Sequence, residues 1–167
     1  MRFGVLQVGL GNFGARHLQA WRRLGVLERL WVAEPDERRW TEAAALGVSA
    51  DRLVHSAAEA LDRVEVVDIV TPTESHAPLA QLALEAGTDA FIEKPMTLTI
   101  EEAREVYQAS KRTGRVVQVG PQGTAKGKYW AAAEAIKKGL IGKVVLSQSS
   151  YCRNDPEGEW NYPIHAD

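Results

Sequence analysis

Three glycines, Gly9, Gly11 and Gly14, stand in the stretch VGLGNFG (8–14) with the spacing G-x-G-x-x-G. The run before them, FGVLQV, is short and apolar. The residues after them place Phe13, Leu18, Trp21 and Leu24 near a helical period over 13–24. A chain that turns from strand to helix through this spacing has little freedom. The first glycine permits a tight turn. The second leaves the backbone open to close approach, and the third lets the helix pack against the strand. The spacing alone is a weak signal, and its place between a strand and a helix is what gives it meaning.

The alternation continues along the chain. LWVAE (30–34) reads as a second strand, followed by a helix over 37–46 that Asp36 caps and Gly47 ends. LVHS (53–56) is a third strand, with a short helix over 57–62. VEVVDIVTP (64–72) is an apolar run stopped by Pro72. Ser75 is placed to cap a helix over 76–86, which Gly87 ends. DAFIEKP (89–95) is the fifth strand. Thr99 and Glu102 fit a capping box for a helix over 100–113 closed by Gly114, and RVVQVG (115–120) is the sixth strand. Strands alternating with helices predict an α/β fold: a doubly wound, Rossmann-type, mostly parallel sheet with helices on both faces, over residues 1–122.

Beyond Gly120 the pattern changes. A helix is expected over 126–138, ending at Gly139. KVVLSQSSYC (143–152) then alternates, with Val144 and Leu146 on one face and Ser147, Ser149 and Tyr151 on the other. That pattern predicts a half-exposed, antiparallel strand at the start of a second structural unit over 123–167.

Composition excludes several classes. A net charge of −2 offers no broad basic field for nucleic acid, and no apolar run reaches the ~20 residues a membrane span needs. A soluble, cytoplasmic chain is expected. The lone cysteine, Cys152, has no internal disulfide partner. No set of His, Cys, Asp and Glu has metal-ligand spacing, so no metal site is predicted. His17 and His55 read as helix-surface and strand-end residues without a partner pattern, His165 lies in the tail, and Trp21 and Trp40 read as helix packing.

In a doubly wound sheet, ligands bind outside the carboxyl ends of the strands. There the glycine loop offers free N–H groups at the positive end of a helix, suited to a pyrophosphate. Glu34 closes the second strand 20 residues after Gly14 and can accept hydrogen bonds from ribose hydroxyls. Its charge repels a 2′-phosphate, which favours NAD(H). Arg38 and Arg39 lie close enough to keep NADP(H) open. Asn12 and Phe13 either touch the cofactor or merely complete the loop. Lys94, with Pro95 restricting its backbone, ends the fifth strand. It can donate a hydrogen bond to a substrate oxygen and hold its proton, or it can pair with a nearby carboxylate. Thr71 and Pro72 end the fourth strand, and Gly120, Pro121 and Gln122 end the sixth. His76 is either a rim contact or an ordinary first-turn residue.

Gly9-Leu10-Gly11-Asn12-Phe13-Gly14, Glu34-Pro35-Asp36, Thr71-Pro72-Thr73-Glu74-Ser75-His76 and Glu93-Lys94-Pro95 occur in an order that resembles the glucose-fructose oxidoreductase / inositol dehydrogenase / rhizopine-catabolism (Gfo/Idh/MocA) family. Gln118 to Gln122 and Gly139 to Val144 extend the resemblance over nearly the whole chain. It implies an NAD(P)-dependent oxidoreductase of a sugar, cyclitol or polyol. The unpaired edge of a strand at 143–152 invites self-association, so a homo-oligomer is expected. The resemblance also implies that Lys94 is the catalytic lysine, that Thr71, Pro72 and His76 border the nicotinamide, and that Glu93 and Gln122 line the cofactor pocket. Members usually carry a C-terminal domain supplying the substrate contacts, so this chain is expected to hold only its beginning. An NAD-dependent glycoside hydrolase of the same fold and a non-catalytic NAD(H)-binding protein are the alternatives.

Overall fold

The computed structural model describes residues 3–123 and 125–149. Six strands form one sheet: β1 (Val5–Val8), β2 (Leu30–Ala33), β3 (Leu53–Val54), β4 (Val66–Ile69), β5 (Asp89–Glu93) and β6 (Val117–Gly120). Their order is β3-β2-β1-β4-β5-β6, and every neighbouring pair is parallel. The chain thus runs outward from β1 through β2 to β3, then returns to the other side of β1 with β4. At that reversal the segments leaving β1 and β4 part, and a crevice opens beyond the strand ends.

Four helices belong to this unit: α1 (Asn12–Arg23), α2 (Trp40–Ala45), α3 (His76–Glu85) and α4 (Ile100–Thr113). Side chains of a strand alternate between faces, and β1 divides its apolar residues accordingly. Leu6 and Val8 join a core with Ala77, Ala80, Ala83 and Leu84 of α3 and Val106 and Ala109 of α4. Val5 joins a second core with Leu18 of α1 and Ala43 of α2. Helices therefore cover both faces, which is why the strands read as near-continuous apolar runs. The alanines of α3 let it lie close on the sheet. Each fully buried Leu or Ile contributes about 1.5–3 kcal/mol.

Local signals explain most helix ends. Thr99 Oγ1 accepts the Glu102 N–H at 3.2 Å, and the Glu102 carboxylate accepts the N–H groups of Leu98 and Thr99. Gly114 ends α4 at φ +70. Other ends differ from expectation. The helix expected over 37–46 opens as a 3-10 turn, Glu37–Arg39, which Asp36 caps by accepting the Arg38 N–H. The helix expected over 57–62 is two 3-10 turns, Ala57–Glu59 and Leu61–Arg63, separated at Ala60. Ser75 is not a side-chain cap. A turn of 3-10 helix, Thr73–Ser75, precedes α3, so Ser75 already has helical backbone angles. Its hydroxyl points back to Pro72 O at 2.7 Å and Thr71 Oγ1 at 2.6 Å.

A second compact unit starts at Gly123. Its described part holds α5 (Gly127–Lys137), after which Gly139 adopts φ +75. The strand expected over 143–152 is not formed by residues 143–149. A strand exists only through a hydrogen-bonded neighbour, and here Val145 is 88% and Leu146 78% exposed. Residues 150–152, with Cys152, and the tail with His165 lie outside the described residues. Among the described residues, no helix is long and apolar enough to cross a membrane.

Candidate functional site

The glycine loop crosses the crevice where β1 ends. Gly9 has φ +102, and a Cβ there would lie 2.7 Å from Val70 O. A Cβ on Gly14 would lie 2.3 Å from Gly9 O. Buried Gln7 Nε2 donates to both Gly9 O and Gly14 O, at 2.9 and 3.0 Å, and ties the loop from beneath. Gly11 differs. Its φ is −69, and the nearest atom to a Cβ there is Arg39 Nη1 at 3.6 Å. Two glycines are thus required by the packing, and the third keeps one side of the loop open. Helix α1 begins there with no side-chain cap. Its leading N–H groups lack intrahelical partners and sit at the positive end of the helix.

At the end of β2, Glu34 is nearly buried. Its two carboxylate oxygens accept the Leu10 N–H at 2.9 Å and the Asp36 N–H at 3.1 Å. Trp40 donates its indole N–H to Glu34 O at 2.8 Å. Glu34 therefore links the second strand to the glycine loop. Beyond it, Arg38 holds the Asp36 carboxylate in a two-pronged pair, at 2.8 Å for each contact, and keeps Asp36 below the usual carboxylate range. Arg39 is only loosely attached, at 3.9 Å from Asp36.

A cavity of about 940 Å3 opens over these elements, large enough for a dinucleotide-sized ligand. Of the candidates named from the sequence, Gly9, Gly11, Asn12, Phe13, Glu34, Thr71, Pro72, His76, Glu93 and Lys94 line it. Gly14 lies behind the loop. Gln122 is exposed in the turn after β6, outside the cavity wall. Arg39, His55 and Ser56 also line the cavity, on the side of β2 and β3. His55 pairs with Glu37 at 2.8 Å and meets the Trp40 ring at a tilt of 56°, so it has partners that the sequence pattern did not indicate.

The far side of the cavity is built from β4, β5 and the loops that follow. His76 is 1% exposed, and both ring nitrogens lie 2.8 Å from backbone carbonyls, Nδ1 from Pro95 O and Nε2 from Thr71 O. The ring is an internal tie between two strand-end loops. Lys94 is exposed, and its backbone N–H donates to Glu93 Oε2 at 3.0 Å. The Lys94–Pro95 peptide is cis.

His17 corrects the sequence reading, because it is not a partnerless surface residue. Its Nδ1 lies 3.0 and 3.2 Å from the two oxygens of Asp68 on β4, and its Nε2 lies 3.3 Å from Glu93 Oε1 on β5. Trp21, one turn along α1, donates its indole N–H to the same Asp68 at 2.7 Å. The hydrogen bond to Asp68 raises the His17 ionisation above the ordinary histidine value. Burial opposes it, and the charges of Asp68 and Glu93 reinforce it. One sequence signal could have found this cluster. Asp68 interrupts the apolar run VEVVDIV, and a carboxylate with no exposed surface needs donors.

The loop, the acidic residue ending β2 and the open helix N-terminus at a sheet reversal define a dinucleotide-binding Rossmann unit. The chain belongs to the oxidoreductase family with an NAD-binding Rossmann fold, the Gfo/Idh/MocA family, whose model matches residues 3–121. It is 33% identical over 152 residues to D-apiose dehydrogenase of Paraburkholderia graminis, covering 90% of this chain and 40% of that protein. It is 32% identical to inositol 2-dehydrogenase of Rubrobacter xylanophilus over an alignment of 178 positions, covering 98% of this chain and 50% of that protein. Among solved structures it is similar to GenD2 from gentamicin A biosynthesis in complex with NAD. The TM-score is 0.71 and the identity 30%, over 83% of this chain and 40% of that one. The chain spans half or less of the length of these relatives.

Proposed function

We propose that this chain is the cofactor-binding portion of an NAD(P)-dependent oxidoreductase acting on a sugar, cyclitol or related polyol, with NAD(H) preferred. The carrying observation is the open face of the loop. Gly11 leaves its side free while Gly9 and Gly14 are packed tight, and the uncapped start of α1 supplies N–H groups beside it. In this reading the pyrophosphate rests on that helix start. Glu34 meets the adenosine ribose and disfavours a 2′-phosphate, with Asn12 and Phe13 beside the phosphates. Thr71, Pro72, Glu93 and Lys94 border the nicotinamide half. Gln122 approaches the cofactor only if the turn after β6 folds inward.

The bound cofactor supplies the hydride acceptor or donor. Lys94 supplies what the protein must add: an N–H donor for the substrate oxygen and a place to hold its proton. The relatives named for apiose and inositol support a hydroxylated carbon as the substrate class. Residues 123–167 are read as the connecting helix and the beginning of a substrate and oligomerisation domain, and a homo-oligomer is the proposed assembly.

The test is calorimetric titration of NADH and NADPH onto this chain and its Gly11→Val variant. Gly11 has ordinary backbone angles, and a Cβ there meets nothing closer than 3.6 Å. Valine should therefore fold normally and block only the ligand. Binding of NADH that is lost in the variant supports the reading. Equal binding by both proteins overturns it.

A further inference from the structure

The cavity wall accounts for Glu93 but not for what lies behind it. His17 stands on α1, the helix whose start borders the glycine loop. Its ring bridges Asp68 of β4 and Glu93 of β5. We propose that His17 is a positioning residue: as an imidazolium held between Asp68 and Glu93, it fixes the strand-end carboxylate beside the nicotinamide half of the cavity. This inference rests on the cofactor reading above.

Both ring nitrogens face carboxylate oxygens, which accept hydrogen bonds and do not donate them when ionised. A neutral imidazole has one N–H and can serve only one of them. The protonated ring serves both. Among the described residues, the titratable groups facing the ring are Asp68 and Glu93. Phe91 of β5 lies against it at 6.1 Å between ring centres, and on α1 the Arg16 guanidinium lies over the Phe13 ring. The ionisation of His17 is raised accordingly.

The two carboxylates are not equivalent. Asp68 is completely buried, also holds the Trp21 N–H, and has the shorter contact with the ring, 3.0 against 3.3 Å. When the ring loses a proton, the remaining N–H stays with Asp68, and Glu93 faces a bare nitrogen lone pair. Among the described residues, Glu93 then keeps only the Lys94 N–H. The end of β5 loosens where the nicotinamide half lies, while the loop and Glu34 are untouched, because their bonds involve no titrating donor.

ADP-ribose shares the adenosine and pyrophosphate of NADH and lacks the nicotinamide, so the pair of ligands separates the two halves. The wild-type chain and His17→Gln are titrated with each by calorimetry between pH 6.5 and 9, and the His17 ring nitrogens are followed by 15N NMR. The expected result has three parts. The ring is doubly protonated at pH 7 and titrates above the ordinary histidine value. Wild-type NADH affinity falls about tenfold with the same midpoint, while ADP-ribose affinity stays level. His17→Gln binds NADH about tenfold more weakly at pH 7, with no such pH dependence, and binds ADP-ribose as wild type does.

A neutral ring at pH 7 overturns the proposal, as does an equal loss of both ligands in His17→Gln, which would mark a merely structural histidine. Unchanged NADH binding in that variant overturns it too, with the cofactor reading intact. A wild-type chain that binds neither ligand overturns the cofactor reading and this inference together. If His17→Gln does not fold, the match between wild-type NADH and NMR midpoints decides.

Discussion

Two carboxylates stand at strand ends on opposite sides of the cavity, and they are held in different ways. Glu34 accepts two backbone N–H groups, from Leu10 and Asp36. Glu93 accepts one backbone N–H, from Lys94, and one contact from a histidine ring on α1. The first arrangement is built from groups that do not titrate. The second depends on a proton. One side of the site is therefore set by the path of the backbone, and the other by an ionic cluster that pH can alter.

The largest expected effect comes from breaking the backbone-built side. In Gly14→Ala the new Cβ would sit 2.3 Å from Gly9 O, a distance no side-chain rotation relieves. Helix α1 must move away from β1, which also breaks the bond from Gln7 to Gly14 O. We expect a loss of about 3 kcal/mol or more in urea unfolding, together with loss of NADH binding. A variant as stable as wild type would show that the loop adapts, and the contrast between the two sides would fall.

The ionic side predicts a smaller, graded effect. The His17 ionisation is raised on folding, so its contribution is fully present below the ordinary histidine value near 6.5 and is lost as pH rises through the folded value. In that window stability falls with pH, by at most about 1.4 kcal/mol per pH unit for one proton. Urea unfolding of the wild-type chain between pH 6 and 9 should show this decline, and His17→Gln should lack it. Parallel curves for the two proteins would mean that another group carries the pH dependence.

The same contrast explains what was legible in the sequence. The backbone-built side depends on features close together in the chain. The glycine spacing, the acidic residue ending β2, and the capping box of Thr99 and Glu102 could all be read where they stand. The sheet followed from the alternation of apolar runs with helical patterns. The ionic side joins residues 51 and 76 positions apart, which no local period reports. Its traces were Asp68 inside an apolar strand and two donors, His17 and Trp21, one turn apart on α1. Ser75 is ambiguous in the sequence because a serine before a helix has the same signature whether its hydroxyl caps forward or bonds back to the loop, as it does here. Residues 143–149 alternate without forming a strand among the described residues, because alternation describes one strand, and a strand needs two.

That last segment offers the smallest expected effect and the sharpest contrast with the sheet. Val67 on β4 is 1% exposed and Val145 is 88% exposed. A charge at Val67 would be buried without a partner. A charge at Val145 would stand in water, so Val145→Lys should change stability by no more than about 0.5 kcal/mol. The measurement also bears on assembly. Leu140, Ile141, Val145 and Leu146 are all exposed, and exposed apolar side chains favour association. If sedimentation shows self-association that Val145→Lys abolishes, this segment is covered by another copy. The alternation of KVVLSQS (143–149) then has its partner in a second chain. If mass and stability are both unchanged, Val145 contributes neither to the fold nor to assembly.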